Sequence, residues 1–494
     1  MDTGVFWAAA VAMGVNYALV LGVGMLAARA SPRVEGEAQV EDLMLAGRGL
    51  PLWVGVLTTT ATWVGGGYVN GTAEQAWSKG MLWGVQAGVG YALSLVIGGL
   101  LFAPAMRRHQ FWTLVDPLEQ RYGRSMAAVL LVPAVLSELV WSAAVLLALG
   151  TTFGTVVGID VRLAVVASAS VAVAYTAFGG LRAVAWTDVV QLALLVVGLG
   201  IAVPYAVAWS GGMPAMVAHA DGTSFTGLHD AISWWDWTIL LTLGGIPWNC
   251  YFQRVLASPS ERVAVQMSVG AGVLCALLVV PPLFLGLSAR SFGWTEAQQA
   301  DLVATPALVL PYLLRYAMPW WVSVVGLGAV TAAVMSSVDS SILSASSMLT
   351  WNLYRRLLHP AADPARIEKV VKLLVLVLGA VATLTALTVG SVAALWYLCG
   401  DIVYVALFPQ LTLAMFDRRA NRTGAFVGLV VALVLRLGGG EPVLGLPAFL
   451  PYPEWADGGF PFRTLAMVAS LGTAWAVSRL TAAIDPPRPL DRLV

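Results

Sequence analysis

Charge is what this chain has least of. Asp, Glu, Lys and Arg make up 11% of its 494 residues, and 27 basic side chains balance 27 acidic ones. No block of like charge occurs, so a surface that tracks a nucleic-acid backbone is excluded. Cysteine is almost missing. Cys250, Cys275 and Cys399 lie in apolar stretches without disulfide or zinc spacing. The four histidines, His109, His219, His229 and His359, fall in or beside predicted loops, which argues against histidine chemistry inside a membrane. No Gly-x-Ser-x-Gly, His-Glu-x-x-His or Gly-Lys-Ser/Thr motif is present. An enzyme is not expected.

What is abundant is apolar. Hydrophobic residues make up 59% of the chain, and the mean hydropathy is +0.80. Apolar runs of about 20 residues predict membrane helices, so the lipid bilayer is an expected partner. Thirteen spans are placed at 3–28, 51–72, 81–106, 125–156, 162–180, 187–209, 234–256, 264–289, 319–352, 368–390, 392–416, 423–438 and 463–483. The segment 300–317 is expected as a loop helix. Met1-Asp2 lacks the basic start of a signal peptide, so the first run is expected to stay as a helix. With the N-terminus outside and the C-terminus inside, 21 of the 27 Lys and Arg fall on the cytoplasmic side, Arg254 among them, as the positive-inside rule requires.

The spans group into units. Residues 1–50 hold the first span and a cytoplasmic loop, 51–209 a five-helix half, 210–233 an outer loop, 234–416 a second five-helix half, and 417–494 two further spans and a short tail. Five is odd, so the halves run oppositely through the membrane, as in an inverted repeat. The Gly- and Pro-rich loop 439–462 is expected to form an outer cap.

Two apolar runs are interrupted at matching places of the two halves. Gly65-Gly66-Gly67 follows Ala61-Thr62-Trp63-Val64, and Gly244-Gly245-Ile246-Pro247-Trp248 breaks the other. An unwound stretch in lipid frees carbonyls and half-helix ends that need partners. One break is equally a packed kink. Two matched breaks point to bound substrate or ions.

Inside a long apolar run, helical spacing puts Ala333, Ser336, Ser337 and Ser340 on one face, with Asp339 one turn from Ser336. Hydroxyl, carbonyl and carboxylate oxygens suit a hard cation such as sodium. The serines alone would serve helix packing as well, but an intramembrane Asp needs a partner. Asp188, at the entry of its predicted span, has three open roles: a helix N-cap, a partner for Arg182, or a second cation ligand reaching toward Asp339. Glu138, Asp401 and Glu441 carry no assignment. Among the aromatics, Trp63 and Trp248 adjoin the breaks, Tyr91 and Trp141 lie well inside spans, and Trp396 stands close to Asp401. Each alone reads as packing. Together on helices that line one cavity they would hold a quaternary ammonium by cation–π attraction.

At these residues the chain resembles the sodium/solute symporter family, in its choline branch. The matching stretches are Thr60–Glu74, Gly90–Gly99, Ala185–Leu192, Gly244–Val255, Gly326–Met348, Gly439–Pro442 and Phe462–Ser470. The resemblance implies an all-α membrane protein with a LeuT-like 5+5 inverted repeat and about 13 transmembrane helices. It implies sodium-driven choline uptake that also depends on chloride, with no residues placed for chloride. Carried over by position, one sodium (Na+) site uses the carbonyls of Ala61, Val64 and Ala333 with Ser336 and Ser337. A second uses Ser336, Asp339, Ser340 and Asp188, with Asp339 where many members have a hydroxyl. The cage would be Trp63, Tyr91, Trp141, Trp248 and Trp396. The short end after Asp485-Pro486-Pro487 suggests a bacterial inner-membrane form, as monomer or homodimer. Two competing readings are a symporter for betaine or another quaternary amine, and a choline sensor. A zwitterion would want a donor for its carboxylate, and no basic residue is expected near the breaks. A sensor would carry a signalling domain, and none is visible.

Overall fold

The computed structural model describes residues 7–30, 35–218, 225–389, 392–441, 443–455 and 458–490. His219 and Pro442 lie outside the described residues. The described chain is helical apart from a two-residue antiparallel strand pair, Glu454–Trp455 with Gly458–Gly459, and one bridge between Glu441 and Leu446. Both lie in the 439–462 loop.

Eight helical stretches among the described residues are long and apolar enough to cross a bilayer. They are Met13–Ala30, Met81–Arg108, Arg124–Gly154, Gly179–Trp209, Glu261–Ala289, Trp320–Leu358, Pro364–Val389 and Leu398–Phe416. The other expected spans are helical but shorter, broken or more polar. These are Val161–Ala177, Arg422–Gly438, Phe462–Leu480 and two interrupted helices. The first interrupted helix is Leu52–Trp63 followed by Gly66–Ser78. The second is Leu228–Leu243 followed by Asn249–Ala257. Large apolar side chains such as Leu26, Val132, Leu163, Val197, Leu277, Leu373 and Leu384 are exposed around the bundle. Lipid tails are the solvent that suits such a surface.

The serine-bearing helix Trp320–Met348 runs through the middle, and every residue from Ala329 to Met348 is buried. Its small side chains let neighbours approach closely. The segment expected as a loop helix forms two short helices, Glu296–Ala304 and Val309–Tyr316, the first closed by a Thr295–Gln298 capping box.

Two local expectations change. The loop placed between spans at 181–186 is helix, because Val161–Trp209 is continuous except at Gly180. Gly180 alone makes the bend, with φ +58°, and a Cβ there would lie 2.5 Å from the Leu43 carbonyl oxygen. Asp188 is therefore inside a helix and caps nothing. The first break also falls earlier than the three glycines suggest. Val64 and Gly65 are unwound, while Gly66 and Gly67 already start the next helix. The glycines serve close approach: a Cβ on Gly65 would sit 1.8 Å from Ser337 Oγ, and one on Gly66 2.3 Å from Val334 Cγ2. The first break is thus pressed against the serine face.

Candidate functional site

Both breaks open onto one cavity of about 1020 Å³, including its open mouth. Trp63, Tyr91, Trp141, Trp248 and Trp396 all line it. They reach it for separate local reasons. Trp63 is the last residue before the first break, and Trp248 is the extended residue that starts the Asn249–Ala257 half-helix. The Trp248 indole N–H donates to the Gly244 carbonyl at 2.9 Å, which staples the second break. Trp141 comes from the Arg124–Val157 helix and meets Trp248 edge to face, with centroids 6.0 Å apart at 66°. Trp63 meets Tyr91 the same way at 6.4 Å, and packs against Tyr251 in a tilted arrangement at 6.1 Å. Such packing fixes each ring's face. The Trp396 indole lies against the Tyr91 hydroxyl. Gly67 leaves room for the Trp141 ring, 3.4 Å from where its Cβ would be.

The cavity extends to Gln75, Lys79, Trp83, Gln86 and Trp237, the end of the bundle that is poor in arginine. Lys79 Nζ stands 4.1 Å from the Trp83 ring centre at that mouth. Below the breaks the protein is closed. Asn249 accepts from the Leu114 N–H at 2.8 Å and donates to Ser344 Oγ at 3.0 Å. Gln253 donates to Ser347 Oγ at 3.0 Å.

Beside the cage, the serine face meets the first break. Ser336 Oγ is 3.0 Å from the Ala61 carbonyl oxygen and 2.9 Å from that of Ala333. Ser337 Oγ donates to the Thr62 carbonyl at 3.1 Å. Five oxygens therefore converge between two helices. Val64, expected as a ligand, is buried at the break, but the hydrogen bonds bring Ser337 to Thr62 instead. Hard cations take this kind of oxygen set.

The second expected ion site is arranged differently. Asp188, Asp339 and Ser340 are fully buried, and so is Arg254. The Arg254 guanidinium lies 3.1 Å from Asp188 Oδ2, 2.6 Å from Ser340 Oγ, 3.2 Å from Thr58 Oγ1 and 2.9 Å from the Cys250 carbonyl oxygen. Thr58 donates to Asp188 at 2.5 Å. Asp339 instead accepts from the Tyr175 hydroxyl at 2.5 Å and from the Ser340 N–H at 2.6 Å. Arg182, one of the partners left open for Asp188, pairs with Asp42 at 2.6 Å. The expectation that no basic residue sits near the breaks is also corrected. Arg254 is one and a half turns past Trp248, in the protein interior and not in a loop. Its four partners take four of its five N–H donors, and the guanidinium is fully buried.

Asp401 and Glu441 are tied in ion pairs. Asp401 pairs with Arg436 at 2.5 Å and Arg463 at 2.9 Å, and Glu441 pairs with Arg436 at 2.7 Å. Arg463 also stacks 4.3 Å over the Trp237 ring at the cavity wall.

The family model for the sodium:solute symporter family matches residues 43–432. The chain belongs to the sodium:solute symporter family. The symporter is 44% identical over 486 residues to high-affinity choline transporter 1 of Caenorhabditis elegans, spanning 95% of this chain and 84% of that one. To the Homo sapiens transporter of that name it is 42% identical over 504 residues, with the same coverage. The sodium/glucose cotransporter of Vibrio parahaemolyticus is more distant, 25% identical over 459 residues, 86% of this chain and 83% of that one. In structure, the symporter resembles a Na+-coupled sialic acid symporter in a substrate-bound outward-open state, with a TM-score of 0.81, 20% identity and full coverage of both chains. It also resembles a nucleobase-cation-symport-1 family transporter in a closed conformation, with a TM-score of 0.57, 15% identity and coverage of 90% and 95%. These neighbours show the fold. The symporter is a sodium-coupled, multi-pass transporter of the plasma membrane and is not an enzyme.

Sequence reasoning missed Thr62, Thr58, Tyr175 and Arg254 in this symporter. Arg254 carried a signal, as a lone charge among Tyr251-Phe252-Gln253 and Val255-Leu256-Ala257. Placing it at a helix exit hid that signal. Thr58 and Tyr175 carried none, because their partners are 130 and 164 residues away.

Proposed function

We propose that this symporter imports choline, holding the quaternary ammonium in the cage of Trp63, Tyr91, Trp141, Trp248 and Trp396. The supporting observation is the convergence of those five rings on one cavity at the junction of both breaks. Aromatic faces attract a cation that has no hydrogen-bond donors to satisfy. The 40–44% identity to transporters named for choline supports the same substrate.

Sodium is cargo in this reading. The carbonyls of Ala61, Thr62 and Ala333 and the hydroxyls of Ser336 and Ser337 take it. Val64 is at the same break and completes the shell. Asp188, Asp339 and Ser340 form a second polar centre that Arg254 already neutralises in part. The thirteen-span count, the inverted 5+5 repeat and the N-outside, C-inside orientation belong to this reading too. The arginine-poor end is then the outer one, and the open cavity faces outward. Alternating access closes that mouth and opens the floor beneath Asn249. Chloride dependence belongs to the reading through the resemblance alone, and replacing chloride with gluconate is expected to lower uptake.

The substrate is tested by competition. Labelled choline bound to the purified protein should be displaced by tetramethylammonium and by unlabelled choline, and not by glucose or proline. Displacement by glucose or proline would contradict the cage. The ion site has its own test. Ser336→Ala combined with Ser337→Ala is expected to raise the sodium concentration for half-maximal uptake at least about tenfold, since 1.4 kcal/mol of lost coordination is a factor of ten. Unchanged sodium activation would place the ion elsewhere.

A further inference from the structure

The cage contains no charged side chain, yet one buried carboxylate stands directly behind it. Glu138 is 1% exposed and lies one turn before Trp141 on the same helix. Its Oε1 accepts from the Cys250 N–H at 3.0 Å and from the Ser344 hydroxyl at 2.6 Å. Cys250 lines the cavity, two residues after Trp248. One carboxylate therefore ties together the helix that carries Trp141, the half-helix that starts at Trp248, and the serine helix. These are the two rings that meet edge to face at 6.0 Å.

Glu138 lacks the cation partner that most of the other buried acids have. Asp188 has Arg254, Asp401 has Arg436 and Arg463, and Asp116 is 3.6 Å from Arg356. Asp339 has the Tyr175 hydroxyl, and Asp236 the Thr464 hydroxyl. Glu138 forms no ion pair among the described residues, and beyond Ser344 and the Cys250 N–H it has only the Ser341 hydroxyl and the Cys250 thiol beside its carboxylate. A buried anion without a cation is costly. A cation that arrives in the adjacent cavity reduces that cost, whereas a neutral molecule of the same shape does not.

We propose that Glu138 is the counter-charge of the cage and the residue that positions its Trp141–Trp248 wall. It thereby sets the preference for a cation over a neutral ligand of equal shape. The proposal rests on the choline reading above. The rings supply shape and apolar area, and Glu138 supplies the long-range field. A unit charge roughly 10 Å from a bound cation, at an effective dielectric of about 20, changes affinity on the order of tenfold.

The test compares choline with its neutral carbon isostere, 3,3-dimethylbutan-1-ol, by displacement of labelled choline in detergent. Glu138→Gln keeps the side-chain length and an oxygen that accepts from Cys250 and Ser344, so the wall is retained and the charge removed. Choline affinity is expected to fall about tenfold, with affinity for the neutral alcohol nearly unchanged, so the preference for the cation collapses. Equal weakening of both ligands, or of neither, overturns the proposal, since a mere helix cap has no reason to sense ligand charge. Glu138→Asp keeps the charge and shortens the reach. Both ligands should weaken while their ratio stays near that of the parent protein, and loss of the ratio here overturns the proposal even if the Gln variant fails to fold. A parent protein that binds no choline overturns the choline reading and this proposal with it. That outcome is recognised before any variant is made.

Discussion

Arg254→Met is expected to be the most damaging single change in the protein. It removes the guanidinium from between Asp188, Ser340 and Thr58 and leaves Asp188 buried without a cation. Breaking a buried pair in this way costs about 3–5 kcal/mol, more than the pair itself contributes over an apolar substitute. The expected result is a sharp loss of monodisperse protein and a lowered melting temperature in detergent. Asp188→Asn added to Arg254→Met should recover much of that loss, because Asn still accepts from Thr58 and position 188 no longer carries an unpaired charge. The recovery separates charge imbalance from lost packing. Equal melting of the single variant and the parent would show that Arg254 is not committed to Asp188.

Trp248→Ala is expected to weaken choline binding about 100-fold. The estimate combines about 2 kcal/mol for a desolvated cation–π contact with about 1 kcal/mol for the lost edge-to-face contact with Trp141. The indole N–H also staples the break through the Gly244 carbonyl, so a loss of affinity alone would be ambiguous. Trp248→Phe resolves this, since it loses the staple and keeps a ring. Binding within about tenfold of the parent in the Phe variant would assign the effect to the π face. An equal loss in Phe and Ala variants would assign it to the staple, and unchanged affinity in both would remove Trp248 from the cage.

The legible parts of this protein were those encoded locally. The second break was readable because Gly244-Gly245-Ile246-Pro247 cannot continue a helix. The serine face was readable because Ala333, Ser336, Ser337 and Ser340 share one side at helical spacing. The ring set was readable one residue at a time, and the fold brings all five to one cavity. What sequence could not show is pairing across long separations. Arg254 reaches Asp188 and Ser340 over 66 and 86 residues, and Glu138 reaches Ser344 over 206. The three glycines were read as an unwinding signal. That holds at Gly65 and not at Gly66 or Gly67, and Gly65 and Gly66 also mark where the serine helix presses on the break, a role defined only by the Ser337 and Val334 atoms they admit. Likewise, Trp186-Thr187-Asp188 looked like the start of a span because the bend that precedes it is a single residue, Gly180, without a polar loop around it.

The most direct measurement is uptake of labelled choline into proteoliposomes containing the purified protein, with an inward sodium gradient and with sodium equal on both sides. The account predicts choline accumulation above the external concentration under the gradient, and its collapse when sodium is equalised. Choline that binds but never accumulates, or accumulates equally without the gradient, would contradict sodium-coupled choline import.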